Sequence, residues 1–292
     1  MTKRNEGRRA WTTTLKHTRR EVKQDNLTIV AAGVAFFAFL AIFPALAALI
    51  SIYGLVADPA AVEQQIASLR GVLPAEAADL IGRQLQRIAS GSSQSLGWSL
   101  ALSVLLGLWS ANKGMKGLVQ GLNIAYGEED ERSWFKRTAI QLGLTLGAIL
   151  AAIVAIGMVV ALPAVLSFLG LGGGVRIGVE VARWVLLAAL VVVGLGVVYR
   201  LGPARGALRP RRWVTPGAIV ATLLWLIGSL LFSIYVANFG SYAKTYGALA
   251  AVVILLIWFY LTAFVILLGA ELDGEREKTR RRMSSTGAEA PA

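Results

Sequence analysis

Apolar residues form long runs along this chain, and short segments between the runs carry most of the charges. Runs without Asp, Glu, Lys or Arg that reach the roughly 20 residues needed to cross a bilayer are residues 26–57, 88–112, 138–175, 213–243 and 245–270. A sixth run, 184–199, is shorter, but it can span if Arg183 and Arg200 extend towards opposite interfaces. The pattern predicts an all-α, polytopic membrane bundle with six transmembrane helices.

The basic residues indicate how this bundle is oriented. With the N-terminus inside, the cytoplasmic segments hold 23 of the 29 Lys and Arg residues, and the outer segments hold six. Short cytoplasmic loops are enriched in basic residues, so an N-in/C-in topology is predicted. Splitting the long run 138–175 into a hairpin would place the arginines of "RLGPARGALRPRR" outside. One span is therefore preferred there, with Pro163 and "LGLGGG" at its loosened outer end.

The segment before the first span has a helical pattern of its own. Trp11, Leu15, Thr18 and Val22 fall on one helical side among basic neighbours, which is typical of a short helix on an anionic membrane surface. The alternative is a flexible basic tail that only enforces topology.

The sizeable outer segment, residues 58–95, contains two amphipathic stretches that predict short helices capping the bundle from outside. The chain thus divides into a basic N-terminal segment (1–25), a transmembrane domain (26–270) and a charged cytoplasmic tail (271–292).

Polar or helix-breaking residues interrupt the spans at three places. Pro44 removes a backbone hydrogen bond inside the first span and predicts a kink that faces protein. Glu180 and Arg183 are three residues apart on a helix and can pair. Glu271 ends the last apolar run. These ionisable residues are interpreted as paired boundary residues, with a proton or substrate relay as the alternative.

The stretch "GLWSANKGMKGLVQGLNIAYG" at 107–127 separates into sectors when it is drawn as one helix. Its polar side comprises Asn112, Lys116, Gln120 and Asn123, with Lys113 at the edge. Glycines on the opposite side permit close approach of another helix.

Two functions fit this polar side. It could line the cytoplasmic mouth of a cavity, where Lys113 and Lys116 attract anionic groups such as phosphate. It could also be the end of a membrane helix, with both lysines serving as positive-inside anchors. The residues themselves leave both interpretations open.

Composition supports a membrane protein and argues against several enzyme classes. The chain is 56% hydrophobic and 16% charged, with a mean hydropathy of +0.63. It has no cysteine and one histidine, so no catalytic residue, metal site or cofactor is predicted. The acidic run 128–131 is interpreted as a solvated loop. The net charge of +12 lies mostly in topological flanks beside anionic lipid, so no specific nucleic acid is expected as partner.

Three segments carry a resemblance to a known family: "DNLTIVAAGVAFFAFLAIFP", "GLNIAYG" and "YGALAAVVILLIWFYLTAFVILLGAEL". They are similar to the YihY/BrkB family of bacterial inner-membrane proteins, formerly labelled ribonuclease BN. The resemblance implies a six-span helical protein of the inner membrane, with roles suggested in envelope integrity and in lipid or lipopolysaccharide-precursor export. It supplies no catalytic residues, and the lysines of "ANKGMKG" lie outside the family pattern.

These observations predict a protein that transports a lipid, another amphiphile or an anionic solute across or between leaflets, with anionic lipids as partners. The alternative is a non-transporting scaffold or assembly partner for the envelope. A ribonuclease is disfavoured because RNA cleavage usually needs metal-bound water or a pair of histidines. The sequence has one histidine and no Cys or His cluster to hold a metal. Glycine-rich faces permit a homo-oligomer without requiring one.

Overall fold

The computed structural model describes residues 17–18, 20–56, 93–162, 173–204, 214–238 and 248–288. These residues form helices joined by turns, with no strand among them, so the all-α prediction is confirmed for this part of the chain. The α-helices are α1 Leu27–Val56, α2 Ser93–Tyr126, α3 Trp134–Ile156, α4 Gly173–Leu201, α5 Pro216–Asn238 and α6 Ala248–Ala288. A π-helical turn, Gly157–Ala161, continues α3, and residues 20–24 are helical before α1.

Five of these helices contain a segment long and apolar enough to cross a bilayer: Leu27–Ala48, Trp134–Val159, Gly178–Leu201, Pro216–Ala237 and Leu249–Thr279. Large apolar side chains are exposed along them, including Ile153 and Leu230, which are 60% and 64% exposed. A surface of this kind suits hydrocarbon and not water. The multi-pass membrane protein predicted from the sequence is therefore confirmed, whereas the sixth crossing, through α2, stays a prediction.

Helix ends do not coincide with the ends of the charge-free runs. Helix α6 continues through Glu271 to Ala288, and α4 begins ten residues before Arg183. A helix satisfies its backbone hydrogen bonds internally, so it can pass from lipid into water without a break. Most of the outer segment 58–95, the stretch around Pro163, and Trp11 and Leu15 of the N-terminal segment lie outside the described residues.

Two residues with positive φ mark where helices stop. Asn26 (φ 50°) separates the helical residues 20–24 from α1, and Gly127 (φ 66°) ends α2. The Gly127 N–H donates to the Ile124 carbonyl and the Glu128 N–H to the Asn123 carbonyl, both at 2.9 Å. This is the hydrogen-bond pattern of a glycine C-cap, in which a left-handed residue lets the chain turn away.

The chain forms two compact units, residues 37–111 and residues 1–36 with 112–292. In the first, α1 runs without interruption through Pro44, whose Cβ and Cγ lie 3.7 Å from the position of a Cβ on Gly107 of α2. Ser51 Oγ donates to Ser99 Oγ at 3.3 Å. The proline therefore packs against protein, and hydroxyl groups join the two helical segments.

The second unit holds the hydrophobic core. It is built from the start of α1, the ends of α2 and α4, the start of α5 and the middle of α6. Its buried members are Leu27, Ala31, Leu118, Leu122, Ala125, Tyr126, Leu195, Tyr199, Ala218, Ala221, Ala263, Leu267 and Ala270. Small residues let α5 and α6 approach closely at this level.

Candidate functional site

The polar side of α2 is divided between structural and exposed groups. Asn123 is buried, and its Oδ1 accepts a hydrogen bond from the Ala204 N–H at 2.8 Å, just beyond the end of α4. Asn112 Oδ1 accepts from Thr145 Oγ1 of α3 at 3.4 Å. Lys116 and Gln120 lie between the two asparagines along α2, one helical turn apart, and both are exposed. The two asparagines thus tie α2 to its neighbours, and the two exposed side chains are accessible to a ligand.

Lys113 is half-buried on the same helix. The structure therefore does not bring all five predicted polar residues to one surface. Sequence periodicity identified their shared side but could not show which positions the neighbouring helices cover.

The glycine side of α2 receives other helices, as its composition suggested. A Cβ on Gly117 would meet Val34 Cγ2 of α1 at 3.4 Å. A Cβ on Gly121 would meet Leu267 Cδ2 of α6 at 2.7 Å and Val30 Cγ1 of α1 at 2.9 Å. Helix α2 is therefore fixed against α1 and α6 through the side that carries no polar group.

Glu180 and Arg183 form an ion pair on α4. The Arg183 guanidinium also lies 5.4 Å from the centre of the Trp184 ring. The ion pair and the cation–π contact both stabilise the charged guanidinium at this position. The pair neutralises charge on an apolar helix, as a boundary pair would.

An unpredicted polar contact joins α5 to α6. Asp273 Oδ1 accepts a hydrogen bond from the Gly217 N–H at 2.7 Å, in the first turn of α5. The Thr215 hydroxyl accepts from the Ala218 N–H at 3.1 Å. Free N–H groups and the helix dipole favour a carboxylate at such a position. The sequence "TPGA" signals a capped helix start, but nothing in it identifies Asp273 as the partner.

Asp130 in the loop between α2 and α3 binds two arginines. Arg132 Nε and Arg137 Nε lie 2.8 Å and 3.0 Å from the Asp130 carboxylate. Burial raises the pKa of Asp130, but the hydrogen bonds and charge of Arg132, together with the charge of Arg137, outweigh burial and hold the pKa below its ordinary value.

Arg132 also reaches across to α4. Its Nη2 donates to the Gly202 carbonyl at 2.8 Å, so the loop is tied to the end of α4. Glu129 and Glu131 are exposed, as a solvated loop predicts, whereas Asp130 is not free in solvent. The interpretation of 128–131 as a solvated loop is therefore wrong for Asp130, because the next arginine folds back onto it.

Glu271 is fully buried, at 0% exposure. Neither of its carboxylate oxygens has a hydrogen-bond partner among the described residues. The charged groups that act on it are Asp25, Lys278, Glu275 and Glu21. The sequence placed Glu271 at the end of an apolar run, but its burial depends on how α1 and α2 pack against α6.

Asp25 belongs to the same surroundings and is half-buried. Burial, followed by the negative charge of Glu21, raises the pKa of Asp25, although the Lys278 ammonium opposes this. Lys278 Nζ is 2.8 Å from Glu275 Oε1.

Comparison with known proteins gives a consistent set of relatives. The family model described as "Virulence factor BrkB" matches residues 18–292. The "Putative ribonuclease-like protein YfkH" of Bacillus subtilis is 27% identical over 86% of this chain and 90% of its own. A UPF0761 membrane protein of Vibrio vulnificus is 27% identical over 89% and 82% of the two chains. The UPF0761 membrane protein YihY of Salmonella typhimurium is 31% identical over 51% and 50%. No solved structure matches the chain.

Proposed function

This chain belongs to the Virulence factor BrkB family of membrane proteins, and we propose that it moves a lipid or another anionic amphiphile between the leaflets of the bacterial cytoplasmic membrane. The proposal involves no bond-breaking chemistry, so it assigns no catalytic residue. Its ligand is an anionic headgroup, and its site is on α2.

In this proposal the chain crosses the membrane six times with both termini in the cytoplasm. Five helices have the required length and apolarity. Helix α2, with 34 residues, supplies the sixth crossing, although serine, glycine and asparagine lower its mean hydropathy. The predicted orientation places the loop between α2 and α3 in the cytoplasm, where its basic residues are favoured.

The exposed pair Lys116 and Gln120 is the observation that carries the proposal. Lys116 lies four residues beyond the charge-free run 88–112, which is about 6 Å along the helix axis. In the predicted topology this position is near the inner interface, where an exposed ammonium group can reach lipid headgroups. A headgroup phosphate would accept hydrogen bonds from the lysine ammonium and the glutamine amide together.

A lysine anchor would explain the same position differently. A long lysine side chain can extend its ammonium group to the interface, and it then fixes topology without binding a substrate. The two explanations differ in what happens to lipid movement when the side chain is removed.

The test uses purified protein in liposomes and a fluorescent anionic lipid that is quenched from outside by a reductant. Wild-type protein should accelerate exchange of the label between leaflets. Lys116→Ala should slow exchange about tenfold, since losing a charge-assisted hydrogen bond costs about 1.5 kcal/mol, and Gln120→Ala should slow it less. Lys136→Ala, which removes an exposed lysine from the first turn of α3, should leave exchange unchanged.

Two results would contradict the proposal. If wild-type protein accelerates exchange of none of several headgroups, the scaffold alternative is favoured. If exchange is accelerated but Lys116→Ala matches Lys136→Ala, the lysine is an anchor and the site lies elsewhere. Asn123 is not a suitable test position, because its bond to Ala204 makes it part of the fold.

A further inference from the structure

Glu271 lies in a buried stretch of α6 that packs against the end of α2. The residues on either side of it, Ala270 and Leu272, are buried, and a Cβ on Gly274 would touch the Ala125 carbonyl at the end of α2. The side chain is therefore enclosed by protein and not by lipid or bulk water.

An ionised carboxylate in this position lacks the groups that normally stabilise it. Its two oxygens accept no hydrogen bond from the described residues. A buried carboxylate without donors carries a large desolvation cost, so such groups pair, bind an ion or become neutral.

The surrounding charges do not supply a counter-ion of sufficient strength. From the segment before α1, Asp25 and Glu21 act on Glu271, and both are acidic. From α6 itself, Glu275 and Lys278 act on it, but the lysine is already paired with Glu275 at 2.8 Å.

No cation from another described helix is among the charged groups that act on Glu271. Tyr126 at the end of α2 lies against Gly274, and Tyr199 of α4 lies against Gly269 with its hydroxyl donating to the Ile266 carbonyl at 2.6 Å. Asp273 of α6 faces the start of α5, where the Gly217 N–H donates to it. Among the described residues, the charged groups that act on Glu271 are thus acidic apart from Lys278.

A proton fits this site better than a metal ion. No three acidic or histidine side chains converge as metal ligands in the described parts of the chain. A metal cation would need several oxygen ligands and space for its ionic radius. A proton neutralises one carboxylate and needs no cavity.

We infer that Glu271 is a proton-binding site within the bundle, and that Asp25 and Glu21 connect it to the solvent beside the start of α1. Glu271 is fully buried, whereas Asp25 and Glu21, which both act on it, are half-buried and can exchange protons with the solvent. This site goes beyond the proposed function, because a transporter or a scaffold could use it equally.

The test is an infrared titration of the full-length protein in lipid nanodiscs between about pH 5 and about pH 9, where ordinary carboxyl groups are ionised. Wild-type protein should show the C=O stretch of a protonated carboxylic acid at neutral pH. Glu271→Gln should lose this band. Glu129→Gln, which alters an exposed loop carboxyl, should keep it.

A second variant guards against misfolding of Glu271→Gln. Asp25→Asn leaves Glu271 in place and removes a neighbouring negative charge, so the band should remain and its disappearance should move to lower pH. Absence of a protonated band in wild-type protein at neutral pH would overturn the inference. So would a band that persists in Glu271→Gln, or one that sodium at constant pH abolishes, which would indicate metal binding.

Discussion

At the scale of single residues, the contact between α5 and α6 depends on two glycines. A Cβ on Gly217 would lie 2.5 Å from Asp273 Cγ and would also press on the Gly269 carbonyl. A Cβ on Gly269 would lie 2.5 Å from the Tyr199 hydroxyl and 2.7 Å from the Gly217 carbonyl. Backbone atoms cannot move aside as a flexible side chain can, so even a methyl group is too large here.

We therefore expect Gly217→Ala to destabilise the protein by about 1–3 kcal/mol, the usual cost of overpacking. Thermal unfolding in detergent, followed by tryptophan fluorescence, measures the effect. Gly228→Ala is the matched control on the same helix, since nothing lies within 4 Å of its added Cβ. An equal loss of stability in both variants would contradict this explanation, because Gly228 makes no such contact and the cause would then not be the packing of Gly217 against α6.

The loop carboxyl Asp130 makes a pH-dependent prediction. Its folded-state pKa is below the ordinary value of 3.8, so the ion pairs stabilise the loop at neutral pH and the stabilisation is lost as the pH falls through the folded pKa. Asp130→Asn should accelerate hydrogen exchange of residues 127–137 at about pH 6, and the difference from wild type should vanish well below pH 3.8.

Glu129→Gln serves as the control for Asp130→Asn, because Glu129 is exposed beside it. Faster exchange in the control as well would mean that the loop responds to total charge and not to the specific contacts of Arg132 and Arg137.

At the scale of elements, the sequence predicted where helices can lie in lipid but not where they end. The apolar run 26–57 became α1 almost residue for residue, whereas the run ending at residue 270 became a helix that continues to Ala288. Charge governs insertion into hydrocarbon, and backbone hydrogen bonding governs helix length, so one pattern cannot fix both.

The same limit applies to the candidate site. Helical periodicity placed Asn112, Lys116, Gln120 and Asn123 on one side of a helix, and the structure has α2 helical over all four. It could not predict that Asn123 Oδ1 accepts a hydrogen bond from the Ala204 N–H or that Glu271 is fully buried. Both depend on contacts between residues distant in sequence. Gly121 is an example of a position where contacts between distant helices, and not local sequence, decide what is buried.

The close contacts at Gly121 hold α2 against α1 and α6, so this position tests the packing of the three helices. A leucine at this position would displace Leu267 and Val30, which lie 2.7 Å and 2.9 Å from the added Cβ, and would separate α2 from α6 and α1. We expect Gly121→Leu to lower the yield of monodisperse protein on size-exclusion chromatography. Gly147→Leu should be tolerated, since its position on α3 is open. Normal behaviour of Gly121→Leu would contradict this packing.

At the scale of the whole molecule, the number of crossings can be settled by labelling, because the chain has no cysteine. Six crossings place positions 64 and 133 on opposite sides of the membrane. In intact spheroplasts, an impermeant maleimide should label Gln64→Cys but should label Ser133→Cys only after permeabilisation. Labelling of both from one side would mean that α2 does not cross, and the count would be five.

The π-helical turn Gly157–Ala161 has a consequence for how this protein can change in length. Inserting or deleting one residue in a transmembrane helix normally rotates everything beyond it by about 100° and turns its lipid side inward. A π turn holds one additional residue within a single wide coil and leaves both flanking faces in position. A mutation that removes one codon from this turn would convert it to ordinary α-helix, so this part of α3 can tolerate a deletion that would disrupt the other helices.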